Sequence, residues 1–227
     1  MTAPYLIIFD VDGTLIDSQA HIVASMEAAF GGLDLPAPSR AQTLSIVGLS
    51  LPVAMLRLAP DHSAEMRADL VEGYKAAFQS LRLSADGAAL SPLFEGAISV
   101  LETLQADPRF VLAIATGKSR RGMEHILDQH GLRPYFASVQ VADDHPSKPH
   151  PAMVKACLSE CDVPAARAVV IGDTTYDVEM AKAAGAQAIG VSWGYHSVED
   201  LRQSGADPIL QRFGDLPAAL ERIWSLT

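Results

Sequence analysis

The chain has 227 residues, of which 49% are apolar, 19% charged and 6% aromatic, so disordered and fibrous proteins are excluded. Lys and Arg number 17 against 27 Asp and Glu, and the net charge of −10 has the wrong sign for binding nucleic acid or an anionic membrane. At roughly 150 residues per domain, the length predicts one domain plus a smaller companion or a large insertion.

Hydropathy gives no sign of a membrane span or a leader. The longest unbroken apolar runs, Tyr5–Phe9 and Phe110–Ala115, are far shorter than the roughly 18 residues of a membrane-spanning helix. The N-terminus lacks a basic region, so a secretory signal is not expected. These features predict a cytoplasmic protein with no membrane partner.

Five apolar segments predict strands that are buried on both faces. Continuous apolar strands separated by helical periodicity are typical of a parallel sheet covered by helices. We therefore predict an α/β fold with a Rossmann-like parallel sheet core, helices on both faces and an inserted α-helical cap domain. The predicted strands are Tyr5–Phe9, Phe110–Ala115, Ser138–Val141, Ala168–Ile171 and Ala186–Val191, with a weaker one near Asp207–Leu210.

Helical periodicity places five core helices between and after these strands. Proline at a helix start and glycine at a helix end support two of the boundaries. Cys157 and Cys161 lie four residues apart on one of these helices, which favours buried or half-buried thiols over a metal or redox pair. The predicted helices are Glu95–Gln105, Ser119–His130, Pro151–Cys161, Tyr176–Ala184 and Leu216–Trp224.

The segment 17–91 contains no strand-like run and is rich in Ala, Leu and Met. We expect residues 17–91 to form a helical cap, and residues 1–16 and 92–227 to form the core domain. Ser39, Ser50 and Ser63 are placed to cap helices of this insertion, Ser39 in a capping box. Because the insertion follows the first strand, it emerges at the carboxyl edge of the sheet, where α/β proteins bind ligands.

The string Phe9–Ser18 carries two carboxylates, Asp10 and Asp12, at the end of a buried strand, followed by Gly13 and Thr14. This string resembles the first signature motif of the haloacid dehalogenase superfamily. Three further motifs follow at the ends of predicted strands, in the order that the superfamily shows. They are Ala115-Thr116-Gly117, Lys148 before Pro149, and Gly172-Asp173-Thr174-Thr175-Tyr176-Asp177.

The resemblance implies roles for these residues. Asp10 would attack phosphorus as the nucleophile, and Asp12 would protonate the leaving group. Lys148 would contact both the nucleophile and the phosphate, while the Thr116 hydroxyl and the Gly117 backbone N–H would hold phosphate oxygens. Several relatives carry Asn where this chain has Gly117, which leaves one substrate contact in doubt.

A cation must neutralise the acids of such a site. Oxygen ligands without His or Cys select a hard ion, and Mg²⁺ fits best. We assign Asp10 and Asp173 as direct ligands, together with the backbone carbonyl of Asp12. Two roles stay open for Asp177, namely binding the metal through water or orienting Lys148.

Other polar residues have alternative interpretations. Lys118, Arg120 and Arg121 form either a solvated helix start or a contact with substrate or cap. His21 and Arg57 are either structural or cap-side substrate contacts. The segment Trp193–His196 resembles a loop that rims the site, with a structural role as the alternative, and His145 and His150 are expected to be loop residues.

The insertion resembles the cap of the phosphoglycolate phosphatase and β-phosphoglucomutase branch. The first hypothesis is a Mg²⁺-dependent phosphatase for a small phosphorylated metabolite, because dehalogenases and carbon–phosphorus-cleaving relatives replace the acid that stands here as Asp12. A phosphomutase of the β-phosphoglucomutase kind is the second. A regulator that binds a phosphorylated ligand without turnover is the third.

Overall fold

The computed structural model describes residues 4–84 and 90–226, and a six-stranded parallel sheet lies at its centre. Every pair of neighbouring strands is parallel, in the order β3-β2-β1-β4-β5-β6. The α/β prediction is therefore confirmed, including the weak last strand. The strands are β1 (Tyr5–Phe9), β2 (Phe110–Thr116), β3 (Ser138–Val141), β4 (Ala168–Gly172), β5 (Gln187–Val191) and β6 (Ile209–Leu210).

The described residues of the segment 17–91, which follows β1, form four α-helices. Their apolar side chains, among them Met26, Met55 and Leu70, make a cluster separate from the two clusters of the sheet. Residues 85–89 of the predicted 17–91 insertion lie outside the described residues. The helices are α1 (Gln19–Gly31), α2 (Arg40–Ser45), α3 (Leu51–Leu58) and α4 (Ala64–Arg82).

Six more helices follow in the described part of the chain and cover both faces of the sheet. Ile7 and Phe9 of β1 belong to one apolar cluster, whereas Leu6 and Ile8 belong to the other, because successive strand residues point to opposite faces. The helices are α5 (Ala97–Ala106), α6 (Arg120–Gln129), α7 (Ala152–Glu160), α8 (Thr175–Ala183), α9 (Val198–Ser204) and α10 (Leu216–Ile223).

The predicted boundaries of the core helices differ from the observed ones by at most two residues, and α9 was not predicted. None of the helices within residues 4–84 and 90–226 has the length and apolar character to cross a membrane. Cys157 is buried and Cys161 is half-buried, both as free thiols, as expected.

Two of the three predicted serine caps are confirmed. The Ser39 hydroxyl accepts the backbone N–H of Gln42 in a capping box, and the Ser63 hydroxyl accepts that of Met66 at 3.2 Å. Ser50 precedes α3, but its side chain makes no capping hydrogen bond, so that expectation is wrong. Its backbone N–H instead donates to the Ser147 hydroxyl at 2.9 Å, where the insertion meets the core.

The strand order places a ligand crevice at a defined position. The order reverses between β1 and β4, and open α/β sheets bind ligands outside the carboxyl ends of the strands at such a reversal. The residues that follow β1 and β4 therefore lie where a binding site is expected.

Candidate active site

Acidic side chains lie at the carboxyl ends of β1 and β4. Asp10 follows β1 directly, and Asp173 follows β4. Asp177 lies in the first turn of α8, and all three side chains are buried. One carboxylate oxygen from each residue lies within 4.8 Å of the other two, so the three acids share one buried space.

A tight turn after β1 fixes the position of Asp173. Gly13 has a φ of +85°, a left-handed conformation that glycine adopts without strain. A Cβ at Gly13 would lie 2.3 Å from Asp173 Oδ2, so a larger residue would displace that carboxylate. The Thr14 hydroxyl donates to Asp173 Oδ1 at 2.8 Å, and the Tyr195 backbone N–H donates to Oδ2 at 2.9 Å. The turn that follows the first motif thus fixes the position of Asp173, the acid of the fourth motif.

Lys148 is the cation buried among these acids. Its Nζ lies 2.7 Å from Asp10 Oδ1 and 2.6 Å from Asp177 Oδ1. The other oxygen of Asp177 accepts the Thr174 hydroxyl at 2.6 Å. Burial disfavours the charged form of Lys148, but the two carboxylates outweigh it and raise the Lys148 pKa above its ordinary value. Of the two roles left open for Asp177, these contacts favour the orientation of Lys148.

The cluster contains three carboxyl groups and the one ammonium of Lys148. Burial raises the pKa of Asp10 to about 7, with Lys148 opposing and Asp177 adding to the shift. Burial, followed by repulsion from Asp177 and Asp10, also raises the pKa of Asp173 well above its ordinary value. Lys148 forms an ion pair with Asp10, yet within the described residues neither Asp10 oxygen accepts a well-formed hydrogen bond.

The burial and the pairing of these acids indicate whether a metal ion fits among them. Buried charges without adequate partners are costly, and a further cation beside Asp10 would offset that cost. The ligand atoms on offer are carboxylate oxygens, which hard divalent cations prefer. The residues present therefore fit a divalent cation.

The end of β2 carries the residues that we expect to bind phosphate. The strand register places Thr116 level with the turn after β1, and its side chain is buried. Gly117 touches the helical insertion, because a Cβ there would lie 2.3 Å from the backbone oxygen of Gly48. The absence of a side chain at position 117 thus has a steric explanation, because the backbone of the insertion occupies the space that a side chain would fill.

Asp12 lies two residues after Asp10 but has different partners. Its Oδ1 accepts the Ser18 hydroxyl at 2.6 Å and lies 2.9 Å from Lys118 Nζ. The Lys118 side chain is only 8% exposed, so the interpretation as a solvated helix start is wrong for this residue. The Lys118 ammonium also lies 5.2 Å from the ring centre of Phe78 on α4, which is a contact with the insertion.

The loop after β5 forms one wall of the site. A Cβ at Gly194 would lie 2.1 Å from the Cβ of Asp173, so this backbone packs directly against the acid. The Tyr195 hydroxyl accepts the backbone N–H of Ser18 at 3.1 Å. The sequence indicated a rim position but not these partners. The signal in the sequence for a role in the site was the position of this loop directly after β5, because β5 ends at the same sheet edge as β1 and β4.

His21 and Arg57 contact other protein groups. His21 Nε2 lies 2.9 Å from the Phe78 carbonyl oxygen, Nδ1 lies 3.2 Å from the Ser91 hydroxyl, and the ring is buried. Arg57 donates to the Tyr176 hydroxyl at 2.6 Å across the boundary between insertion and core. Both contacts correspond to the structural alternative for these residues.

The remaining candidates make local contacts. Arg120 pairs with Asp144 at the surface. His145 Nε2 lies 2.7 Å from Gln140 Oε1, and His150 Nδ1 accepts the backbone N–H of Ala152 at 3.2 Å. The two histidines lie in loops, as expected.

A cavity of about 500 Å³ separates the insertion from the core beside Asp12. Gly117 and Lys118 contribute to its core side, while apolar residues of the insertion form much of the opposite wall. Arg121 lines the cavity as well and is exposed, so both interpretations of this residue stay open. The wall from the insertion includes Ile22, Met26, Leu49, Leu51, Tyr74 and Phe78.

Comparison with known proteins gives similarity over nearly the whole chain. A protein named "probable phosphatase IndB" from Dickeya dadantii is 34% identical over 225 residues, which cover 98% of this chain and 96% of that protein. A phosphoglycolate phosphatase from Vibrio parahaemolyticus is 31% identical over 215 residues, 93% of each chain.

A solved structure and a family model agree with these relatives. The crystal structure of a "predicted phosphatase" from Clostridium acetobutylicum superposes with a TM-score of 0.84 at 25% identity, covering 99% of this chain and 100% of the other. The model of haloacid dehalogenase-like hydrolases matches residues 7–191, which include all four motifs. The chain belongs to the haloacid dehalogenase-like hydrolase family.

Proposed function

We propose that this protein is a Mg²⁺-dependent phosphatase that hydrolyses a small phosphorylated metabolite through an aspartyl-phosphate at Asp10, with 2-phosphoglycolate as the first candidate substrate. The observation that carries the proposal is the buried Asp10 carboxylate, which is paired with Lys148 and shares its space with two further acids. The phosphatase names of the relatives support this reaction class.

The metal would be held by the side chains of Asp10 and Asp173 and by the backbone carbonyl of Asp12. When bound, Mg²⁺ supplies positive charge that offsets the repulsion between these acids and the substrate phosphate. Asp177 pairs with the same ammonium as Asp10 and so keeps Lys148 beside the nucleophile.

The chain's own residues carry the two steps of the reaction. An Asp10 oxygen attacks phosphorus, the bond from phosphorus to the ester oxygen breaks, and Asp12 donates a proton to the departing alkoxide. Water then attacks the aspartyl-phosphate while Asp12 takes a proton from it, and orthophosphate leaves with Asp10 restored. The Thr116 hydroxyl, the Gly117 N–H and Lys148 hold the phosphate oxygens in both steps.

We assign residues 17–91 to a cap and residues 1–16 and 92–227 to the core. The separate apolar cluster of the insertion supports this division, since each part has its own packed interior. The cap covers the cavity beside Asp12, which keeps bulk water away from the phosphoryl group.

For the mutase alternative, His21 is the residue to consider, because it lies close to the cap position that phosphomutases of this branch use. Both ring nitrogens of His21 lie within hydrogen-bonding distance of protein groups, the Phe78 carbonyl and the Ser91 hydroxyl. The contacts of His21 therefore favour hydrolysis over isomerisation.

The test is phosphate release from a panel of small monoesters, including 2-phosphoglycolate and hexose phosphates, with Mg²⁺ or with EDTA. We expect metal-dependent release that Asp10→Asn lowers by at least about a thousandfold, because the nucleophile is lost. Asp17→Asn is the matched control, since Asp17 belongs to the same string but accepts hydrogen bonds from Gln19. Release that persists in EDTA or in Asp10→Asn contradicts the proposal, and isomerisation of β-glucose 1-phosphate would support the mutase.

A further inference from the structure

The Lys118 ammonium lies beside Asp12 on the core side of the cavity. We propose that Lys118 selects phosphate esters whose leaving alcohol carries an anionic group, such as a carboxylate, bonded directly to the ester carbon. This inference rests on the proposed phosphatase function and adds to it the chemical class of the substrate and the residue that recognises it.

The position of Lys118 follows from the partners of Asp12. An acid that protonates the leaving oxygen must lie within hydrogen-bonding distance of that oxygen, about 3 Å. The Lys118 Nζ lies 2.9 Å from Asp12 Oδ1 and therefore near the first atoms of the leaving alcohol. A carboxylate bonded to the ester carbon of that alcohol falls within the reach of this ammonium.

The surroundings of Lys118 favour an ion pair with a ligand. An ammonium carries three N–H donors, so the contact with Asp12 leaves donors for a group in the cavity that Lys118 lines. The Phe78 ring lies on another side of the ammonium, and the Lys118 side chain is 8% exposed. Because solvent is largely excluded there, an opposite charge would interact more strongly than at the surface.

Lys75 provides a contrast within the same cavity. It also lines the cavity, but its side chain is 51% exposed and pairs with Glu72 at 2.7 Å. Exposed ion pairs contribute little to binding or stability. We therefore assign recognition of the anionic group to Lys118, and Lys75 provides the matched control.

The experiment compares two esters of equal chain length that differ in charge, 2-phosphoglycolate and ethyl phosphate, with the Mg²⁺-loaded protein. Lys118→Met removes the ammonium and also the partner of Asp12, so kcat/KM falls for both esters. We expect the ratio of kcat/KM for 2-phosphoglycolate to that for ethyl phosphate to fall about 30-fold, which corresponds to about 2 kcal/mol. Lys118→Arg keeps the charge and should retain most of the ratio, and Lys75→Met should leave the ratio within about twofold.

Several outcomes would overturn the proposal. Equal losses for the two esters in Lys118→Met would mean that Lys118 acts only through Asp12. A native protein without preference for the carboxylate ester, or a selective loss in Lys75→Met, would also contradict it. A native protein that hydrolyses neither of these esters but releases phosphate from another monoester contradicts the substrate class proposed here and leaves the phosphatase function standing. A native protein that releases phosphate from no monoester of the panel contradicts the phosphatase function itself, and the ratio of equilibrium binding constants of the two esters then decides the role of Lys118 by the same criterion.

Discussion

The absence of a side chain at Gly117 allows the insertion to contact the carboxyl end of β2. The backbone oxygen of Gly48 occupies the position next to Gly117, and Gly48 itself has a φ of +96°. The two glycines thus let two backbones approach closely.

Gly117→Ala should lower activity without unfolding the protein. The added Cβ would lie 2.3 Å from the Gly48 oxygen and 3.1 Å from the Leu49 oxygen, so the insertion must move away from the site. Displacements of about 1 Å can cost a hundredfold in rate, and we expect kcat/KM to fall about 10- to 100-fold. Steady-state kinetics and a melting curve measure the two effects.

Gly31→Ala is the control for this substitution, because a Cβ at Gly31 meets nothing within 4 Å. It should keep native kinetics. A Gly117→Ala protein with native kcat/KM would show that close contact between the insertion and β2 has no part in turnover.

At the scale of secondary structure, the three serines show when a local sequence signal is sufficient to predict a side-chain helix cap. Ser39 and Ser63 accept backbone N–H groups of their own helices, whereas Ser50 has the extended backbone of a cap residue without the side-chain bond. The backbone N–H of Ser50 donates to Ser147 of the core. A tertiary contact, which no local pattern reveals, thus accompanies the loss of the expected cap.

Ser63→Ala should destabilise the protein by about 1 kcal/mol, the usual effect of removing a side-chain cap. Ser50→Ala should cost only a few tenths of a kcal/mol, because it removes no capping bond and keeps the backbone N–H. Urea unfolding of the two variants beside the native protein measures both values. Equal losses would mean that the observed capping geometry does not determine the stability of α3 and α4.

The strands of the sheet could be predicted because they are apolar on both faces. For the same reason, the motif residues at their carboxyl ends could be placed at one edge before any coordinates were known. The helix α9 was missed because seven residues are too short for a clear periodicity, although Ser197 caps it and Gly205 follows it with a φ of +96°.

At the scale of the whole molecule, the contacts between insertion and core could not be predicted. They join residues far apart in sequence, such as Lys118 with Phe78 and Arg57 with Tyr176, and no local pattern specifies such pairs. The residues that we propose to bind the reacting groups follow strand ends, whereas the positions of the residues that line the cavity depend on how the insertion packs. This difference explains why the chemistry could be inferred from the sequence while the role of Lys118 could not.

His21 links the two ends of the insertion and should make stability depend on pH. It lies at the start of α1 and contacts Phe78 near the end of α4 and Ser91 in the returning segment. Burial lowers the pKa of His21 below its ordinary value of 6.5, so the folded protein takes up this proton less readily than the unfolded chain. The contribution of neutral His21 to the free energy of unfolding is therefore fully present above pH 6.5 and is lost as the pH falls below that value.

His21→Gln separates this effect from that of other histidines. Burial also lowers the pKa of His125, His130 and His196, but these residues contribute equally to the native protein and the variant. We expect the native free energy of unfolding in urea to decrease more steeply than that of His21→Gln between pH 7.5 and 5.5. Parallel curves would contradict the assignment, because a non-titrating side chain at position 21 would then respond to acid as histidine does.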